Sequence, residues 1–487
     1  MVNSVAKKLE KEFIEIIDLP KDDISWSSVS LSEVLERDNR LEASTFNIDR
    51  AHSIQLLENS KYDLVLLGTK EIGFKDCFYG PRAKRNYLTN IDSTSIGFLG
   101  SSEMLDIYPD PVKFVSHDNS MVDSLSLTEG IILISRSGTI GNVTFVGQTL
   151  SKFLVSEHAI RLVMNEFPGF VYTYLKTDVA QNLLHAEKFG SVILEIEPDA
   201  LKNMLIPNAP ALIKKKIHDL IMDSYANRDE SNRLIDEAAK IMIEELELPP
   251  IDDLKKEAFS YSKEINSFSI KLSDLNGRLE SNYHLPIIKV LENHLREKAD
   301  LVKLENKEIT ENIVLAGVFK RNYVQKGHGY PFLGGKEITQ LSPETDKYLS
   351  KITHKKRYEK ELRVKENWIL VTDRGTIGKV VIVPKHMENM AVSQNVLKIV
   401  PKIYPGYIYC FLNSDYGQIL IKRQSYGSVV NMIDDSSLGD VQIPIIKDRE
   451  IVKKIDCLVL EANELRYQAY KQEQKAIEIM NREVLGL

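Results

Sequence analysis

The tetrapeptide Gly-Thr-Ile-Gly occurs at residues 138–141 and again at 375–378, and the separation of 237 residues is kept by much of what surrounds it. It links Val155-Ser156 to Val392-Ser393, Pro168-Gly169 to Pro405-Gly406, Gly190-Ser191-Val192 to Gly427-Ser428-Val429, and Ile206-Pro207 to Ile443-Pro444. Aligned without a gap, residues 138–207 and 375–444 share 23 identities in 70 positions. With small gaps the match runs on upstream. Lys84-Arg85-Asn86-Tyr87 returns as Lys320-Arg321-Asn322-Tyr323, Phe98-Leu99-Gly100 as Phe332-Leu333-Gly334, and Arg40-Leu41-Glu42 as Arg278-Leu279-Glu280. Downstream, Lys215-Lys216-Ile217 answers Lys453-Lys454-Ile455. Such a repeat constrains the fold more than any local propensity. The chain must form two like units, and a binding surface on one should have a partner on the other.

Each unit reads as α+β. Gly130 to Arg136 and Trp368 to Asp373 are short apolar runs ending in a glycine-bounded turn, followed at once by Val143 to Gly147 and Val380 to Pro384, which predicts two hairpins. Residues 168–188 and 405–425 open on Pro-Gly and carry apolar residues at helical spacing, so each is expected to be one short helix on the strands. From Pro210 to Leu246 there is no internal Gly or Pro, which allows a long helix. In the matching tail Ile451, Ile455, Leu458, Ala462, Leu465, Ala469, Ala476 and Ile479 alternate by four and three, a coiled-coil seam interrupted only by Gln472. The stripe of the first helix is Ile213, Ile217, Leu220, Leu234, Ala238 and Ile241, with Ser224, Asn227 and Ser231 between. Two helices pairing with a less tightly specified polar waist are expected; each helix packing only on its own unit is the alternative. The implied organisation is a leading segment and domain over residues 1–209, a helix over 210–247, a second segment and domain over 248–445, and a second helix over 446–487, with Pro249-Pro250 at the junction.

Composition removes whole classes. No run approaches the roughly 20 apolar residues of a membrane span, and the start of the chain, rich in lysine and acid, lacks a signal-peptide core. Cys77, Cys410 and Cys457 lie far apart and are expected to be reduced, buried thiols of a cytoplasmic protein. The net charge of −7 is unevenly spread. Residues 40–207 hold 15 Lys+Arg against 20 Asp+Glu, whereas residues 278–444 hold 25 against 19. Catalytic motifs are missing. Gly329 to Lys336 approaches a phosphate loop, but Gly335 stands where the lysine belongs, and Glu337 follows Lys336 so that the magnesium-binding hydroxyl is missing; it reads as a turn. There is no Asn/Asp-Pro-Pro-aromatic box for a target amine, no dinucleotide fingerprint, no paired-histidine metal spacing and no convincing nuclease carboxylate cluster.

What remains suits nucleic acid. Lys84, Arg85, Asn86 and Tyr87, and again Lys320, Arg321, Asn322 and Tyr323, combine phosphate-neutralising cations with an amide able to pair with a base edge. Arg136 and Arg374 stand before the turns that carry Thr139 and Thr376, where glycine lets backbone approach a ligand, although a tight hairpin alone explains the glycines. Ser191 and Ser428 sit in the Gly-Ser loops. Lys355, Lys356 and Arg357 lie in the densest basic segment, residues 351–363, which has no counterpart near Ser116 to Leu125. A solvated face is the plain alternative; presence in one repeat only is what a variable sequence reader would show.

The ordered set of motifs resembles the specificity subunit of Type I, or similar Type IIB, DNA restriction-modification systems. It comprises the Arg-Leu-Glu segments with nearby Phe46 and Tyr283, the apolar strands with Gly-Thr-Ile-Gly, the Pro-Gly helices, the Gly-Ser loops, and the Ile-Pro exits into long helices. The resemblance implies two target recognition domains reading a split double-stranded DNA sequence, and two helices paired antiparallel. It implies docking of methyltransferase subunits and, in Type I systems, a restriction and translocation subunit. S-adenosylmethionine, ATP and magnesium would belong to those partners, with no cofactor or catalytic residue on this chain. Two other readings share parts of the pattern: an assembly scaffold that reads no bases, and a methyltransferase-nuclease with dispersed catalytic residues.

Overall fold

The structure, a computed structural model, describes residues 29–36, 43–82, 85–89, 91, 94–190, 193–259, 267–275, 277–340, 342–343, 345–427 and 430–487. In the first half, β1 (Leu64–Leu66), β2 (Phe74–Tyr79), β3 (Ser95–Leu99) and β4 (Lys113–Ser116) precede the hairpin of β5 (Ile132–Ser135) and β6 (Val143–Phe145). Then come β7 (Leu154–Val155), β8 (Ala159–Met164) and β9 (Leu205–Pro207). An antiparallel sheet in the order β2-β8-β5-β6 forms the centre, β4-β3-β7 lies beside it, and β1 pairs with β9. β5 is buried along its whole length, which is why it reads as an unbroken apolar run and not an alternating one.

The second half repeats this. Its strands are β10 (Ala299–Lys303), β11 (Thr310–Val314), β12 (Tyr323–Val324), β13 (Gly329–Leu333), β14 (Tyr348–Ser350), β15 (Ile369–Thr372), β16 (Val380–Ile382), β17 (Ala391–Val392), β18 (Val396–Pro401) and β19 (Gln442–Ile446). The central sheet runs β11-β18-β15-β16, with β12-β14-β13-β17 beside it and β10 paired to β19. In both halves the β3-like strand joins the short β7-like strand in parallel, Phe98 opposite Leu154 and Phe332 opposite Ala391. Gly329 to Leu333, the near phosphate loop, is a strand of this second sheet followed by a turn.

Where one helix per Pro-Gly segment is expected there are two. α1 (Pro168–Leu175) and α2 (Asp178–Ala186) are separated by Thr177, whose side chain accepts from Ala180 N and starts a new helix. After the first long helix, α3 (Ala211–Glu245), the pattern recurs as α4 (Pro405–Asn413) and α5 (Asp415–Arg423), with Ser414 the cap. The glycines admit the long helices at close range. A Cβ at Gly169 would lie 2.9 Å from His218 Cα, and one at Gly406 2.5 Å from Asp456 O. The second long helix is α6 (Arg449–Ile479).

α3 and α6 run antiparallel. Lys216 pairs with Glu483 at 3.2 Å, Ser224 Oγ donates to Ala469 O at 2.8 Å, Asn227 Nδ2 donates to Gln472 Oε1 at 2.9 Å, and Arg466 reaches Asn232 at 3.4 Å. The waist is therefore specified more closely than its polarity suggests. Arg228 is paired with Glu473, and Lys176 of the first half approaches the same carboxylate at 3.9 Å. Burial pushes the Glu473 carboxyl upward, yet Arg228 and Lys176 hold it below the usual range. The helices pair with each other, against packing on one unit only, and each also packs on both halves. The first core includes Ala476, Ile479, Met480, Val484 and Leu485 from the far end of the second helix, and the second core includes Leu234, Ile235, Ala238, Met242 and Leu246 from the far end of the first. Each half thus sits on the start of its own long helix and the end of the other. α3 ends at Glu245 before Pro249-Pro250, as expected of a proline pair. Cys77 and Cys410 are buried, but Cys457 is exposed on the outer face of α6. Among the described residues no helix is long and apolar enough to cross a membrane.

Candidate nucleic-acid interface

In the second half the fold brings two separate sequence features together. Lys320 to Asn322 lead into β12, which pairs with β14; the chain then turns through residues 351–353 into Lys355–Arg357. His354 is the link. Asn322 N donates to His354 Nε2 at 3.0 Å, Ser350 N donates to Asn322 O at 3.0 Å, and the Phe319 ring stands edge-on to the imidazole at 5.4 Å. Burial first, then the charge of Arg357, pulls the His354 pKa down, so the ring stays neutral and its Nε2 lone pair is free for that N–H. Arg357 is itself committed, donating to Gly317 O at 3.2 Å and Glu361 at 2.7 Å, with its guanidinium 4.9 Å from the Phe319 ring. Lys355 and Lys356 are exposed and have no ion pair among the described residues. Arg321 lies 5.4 Å from the Phe332 ring and donates to Gln394 at 2.7 Å, leaving Lys320, Asn322 and Tyr323 at the surface. Val318 and Ile352, 85% and 94% exposed, complete a basic patch with apolar tips.

The first half builds the same frame with different charge. Lys84 lies outside the described residues. Arg85 forks onto Glu157, the residue aligned with Gln394, and lies 5.2 Å from the Phe98 ring. Against the cost of burial, Glu157 raises the Arg85 pKa. The Glu157 carboxyl is held low against the same cost by a backbone hydrogen bond and Arg85. Asn86 and Tyr87 are exposed, Tyr87 edge-on to Phe98 at 5.9 Å with Lys113 Nζ 5.3 Å from its ring. No cation stands between Ser116 and Leu125.

The two glycine turns are nearly superposable in their bonding. Gly138 and Gly141 have φ of +78° and +90°, Gly375 and Gly378 of +76° and +86°. Ser135 and Thr372 donate their hydroxyls to the Thr139 and Thr376 carbonyls and accept from Asn142 N and Lys379 N at 2.9 and 3.0 Å. Gln181 and Gln418 donate to Gly141 O and Gly378 O at 2.9 and 2.7 Å. This bonding explains the glycines, and it holds Thr139 and Thr376 out at exposed tips.

The two arginines before these turns are not equivalent. Arg136 is buried, ion-paired to Glu195 at 2.8 Å and to Glu197, donates to Ile196 O at 3.2 Å, and lies 4.1 Å from the Tyr79 ring. It fastens the segment Glu195 to Glu197 and is itself buried. Arg374 aligns with Ser137 instead, is partly exposed, and is paired to Asp373 at 2.7 Å. Ser191 and Ser428 lie outside the described residues, as do Arg40, Leu41 and Glu42. Arg278 is packed at 4.6 Å on the Tyr283 ring. Glu157, Gln394, Gln181 and Gln418, which anchor these surfaces, fall at aligned polar positions of the gapless repeat, the one signal of their role that the sequence carries.

Residues 300–472 match the sequence model of a family described as the Type I restriction modification DNA specificity domain. No curated protein matches the chain in sequence. Among solved structures it is similar to the S subunit of a Type I restriction-modification system from M. genitalium, at 15% identity over 88% of this chain and 96% of that one, with a TM-score of 0.32. It is also similar to the HsdS subunit from Thermoanaerobacter tengcongensis, at 15% identity over 87% and 97%, with a TM-score of 0.27.

Proposed function

We propose that the chain is a member of the Type I restriction-modification DNA specificity family, whose model matches residues 300–472 and whose motifs recur in the first half, and that it reads a split double-stranded DNA target, one half-site per domain. It is a non-catalytic DNA sequence-recognition subunit. The reading into two half-sites rests on one observation: two copies of one exposed frame, Asn86-Tyr87 and Asn322-Tyr323 each beside an anchored arginine, are held by an antiparallel helix pair. In this proposal residues 1–209 and 248–445 are the recognition domains, and 210–247 and 446–487 the spacer helices. Lys320, Asn322, Tyr323, Lys355 and Lys356 contact one half-site, and Asn86, Tyr87 and the turn at Thr139 the other. Arg85, Arg136, Arg321 and Arg357 support these surfaces from behind. The partners are a DNA methyltransferase subunit and, in a full restriction system, a translocating nuclease subunit, all cytoplasmic; cofactor chemistry is theirs.

The test is methylation of a DNA library by the chain assembled with its methyltransferase subunit. Adenine methylation confined to sites with two fixed half-sites and a fixed spacer is expected, with no methyl transfer, ATP hydrolysis or cleavage by the chain alone. Turnover by the pure chain, or methylation without sequence preference, would defeat the reading.

A further inference from the structure

Among the described residues the two halves also meet away from the helices. Glu103–Leu105 and Glu337–Thr339 are equivalent single turns, each opened by a glycine whose N–H donates to the glutamate, Gly100 to Glu103 at 2.7 Å and Gly334 to Glu337 at 2.9 Å. The residues that follow, Asp106 and Gln340, pair with each other as an antiparallel bridge, and Ile107 N donates to Thr339 O at 3.0 Å. Asp106 and Gln340 stand 234 apart, as do Phe98 and Phe332, so each is the other's equivalent. A contact between equivalent residues lies on the approximate two-fold axis relating the halves.

The backbone contact is symmetric but its side chains are not. The Asp106 carboxylate, 8% exposed, accepts from Thr339 Oγ1 and from Lys379 Nζ at 3.2 Å. The equivalents of this set are Gln340, Leu105 and Asn142, which bring no charge. Behind the contact, Ile107 O accepts from Asn232 Nδ2 at 2.8 Å and Tyr108 donates to Asp236, both on α3. One loop therefore ties the first domain, the first long helix and the second domain together. Lys379 directly follows the Gly375–Gly378 turn, so the tie ends beside the exposed Thr376. A cleft of about 1010 Å³ between the halves, lined by Tyr108, Asp236, Ile377, Tyr409, Tyr426 and Arg466, lies against it. Two domains mounted on a helix pair can still tilt as the helices bend; a third fixed point removes that freedom.

We propose that Asp106, with Thr339 and Lys379, is a positioning residue that locks the two recognition domains at one angle and separation and so restricts the DNA spacer accepted between half-sites. This rests on the reading of the domains as half-site readers. The experiment uses the full chain with its methyltransferase subunit, a set of duplexes with fixed half-sites and stepped spacers, and duplexes carrying one half-site only. Asp106→Ala and Lys379→Ala should each leave single-half-site affinity unchanged. Each should lower the discrimination against spacers one base pair too long or too short by about tenfold, within the range typical of coupling between two binding sites. The double variant Asp106→Lys with Lys379→Asp should restore discrimination, and Thr339→Val should give a smaller loss. Wild-type discrimination in folded Asp106→Ala or Lys379→Ala overturns the proposal, as does an equal loss for every spacer and for the single half-sites. A wild-type chain with no preference for two half-sites over one fails the function reading itself, and the proposal with it.

Discussion

Arg161 and Lys398 occupy the same place on the central strand of two copies of one fold, each 1% exposed, and they solve the burial of a cation differently. The Arg161 guanidinium donates to the carbonyls of Ala159, Val155 and Leu125, at 3.2, 2.7 and 3.2 Å, closing a gap between the sheets. The Lys398 ammonium has no hydrogen-bond partner among the described residues, and burial pulls its pKa down to about 8. The same drift shows at Glu157 and Gln394, both holding the arginine of the repeated motif, and at His218 and Asp456. Each of the latter accepts from the Pro-Gly helix, at 3.2 Å from Gly169 N and at 2.7 Å from Gly406 N. Backbone geometry survived duplication where steric space demanded it; the side chains serving that geometry were free to change wherever another group could reach the same atoms.

Three measurements would break or sharpen this comparison. The largest effect is expected at the waist, where the buried Arg228–Glu473 pair has no true counterpart, because Arg466 makes only a 3.4 Å contact with Asn232. Glu473→Ala leaves Arg228 and Lys176 without their anion and should cost about 3–5 kcal/mol, against about 1 kcal/mol for Arg466→Ala. Urea unfolding followed by helical circular dichroism reads both; equal costs would mean the waist is symmetric after all.

Next comes the cation in the sheet. A lysine lowered from 10.5 to about 8 on folding destabilises the native state while charged. The penalty is complete below about pH 8 and disappears as pH rises toward 10.5, because over that window the unfolded chain holds the proton and the native chain does not. Lys398→Met should therefore stabilise the protein by up to about 3 kcal/mol at pH 7 and by little near pH 10.5. Arg161→Met should destabilise at both, by about 2–3 kcal/mol, because it strips three buried carbonyls of their donor. Parallel behaviour of the two variants would show that Lys398 has found a partner.

The smallest effect is on binding. Lys355→Ala with Lys356→Ala should flatten the log K against log salt slope for duplex DNA by about 2, roughly tenfold in affinity between 50 and 200 mM salt. Adding Arg357→Ala should change the slope little, because Glu361 already neutralises that guanidinium. An unaltered slope in the double variant would leave the basic run as a solvated face.

The repeat, the mixed class, the hairpin turns and the two long helices were all legible in the chain, because glycine at positive φ, Pro-Gly helix starts and apolar periodicity are local requirements written residue by residue. The split of residues 168–188 at Thr177 was legible too, since a threonine before an aspartate is an ordinary helix cap, but the longer apolar rhythm obscured it. The candidate surface was legible only in part. Arg136 and Arg374 look alike beside their turns, yet a shift of one residue on a strand reverses the face, and Arg136 is turned inward onto Glu195 and Glu197.

Other features depend on residues far apart in the chain, and no spacing encodes them. His354 joins the basic run to Asn322 across 32 residues, and Lys379 meets Asp106 across 273. The sequence by itself determined that there would be two like domains, with long helices able to carry them, since repetition and periodicity act within each segment. Only the tertiary structure decided which cations remain free for a ligand and that the domains clasp each other at their axis, because ion pairing and burial depend on which distant segments packing brings within about 4 Å.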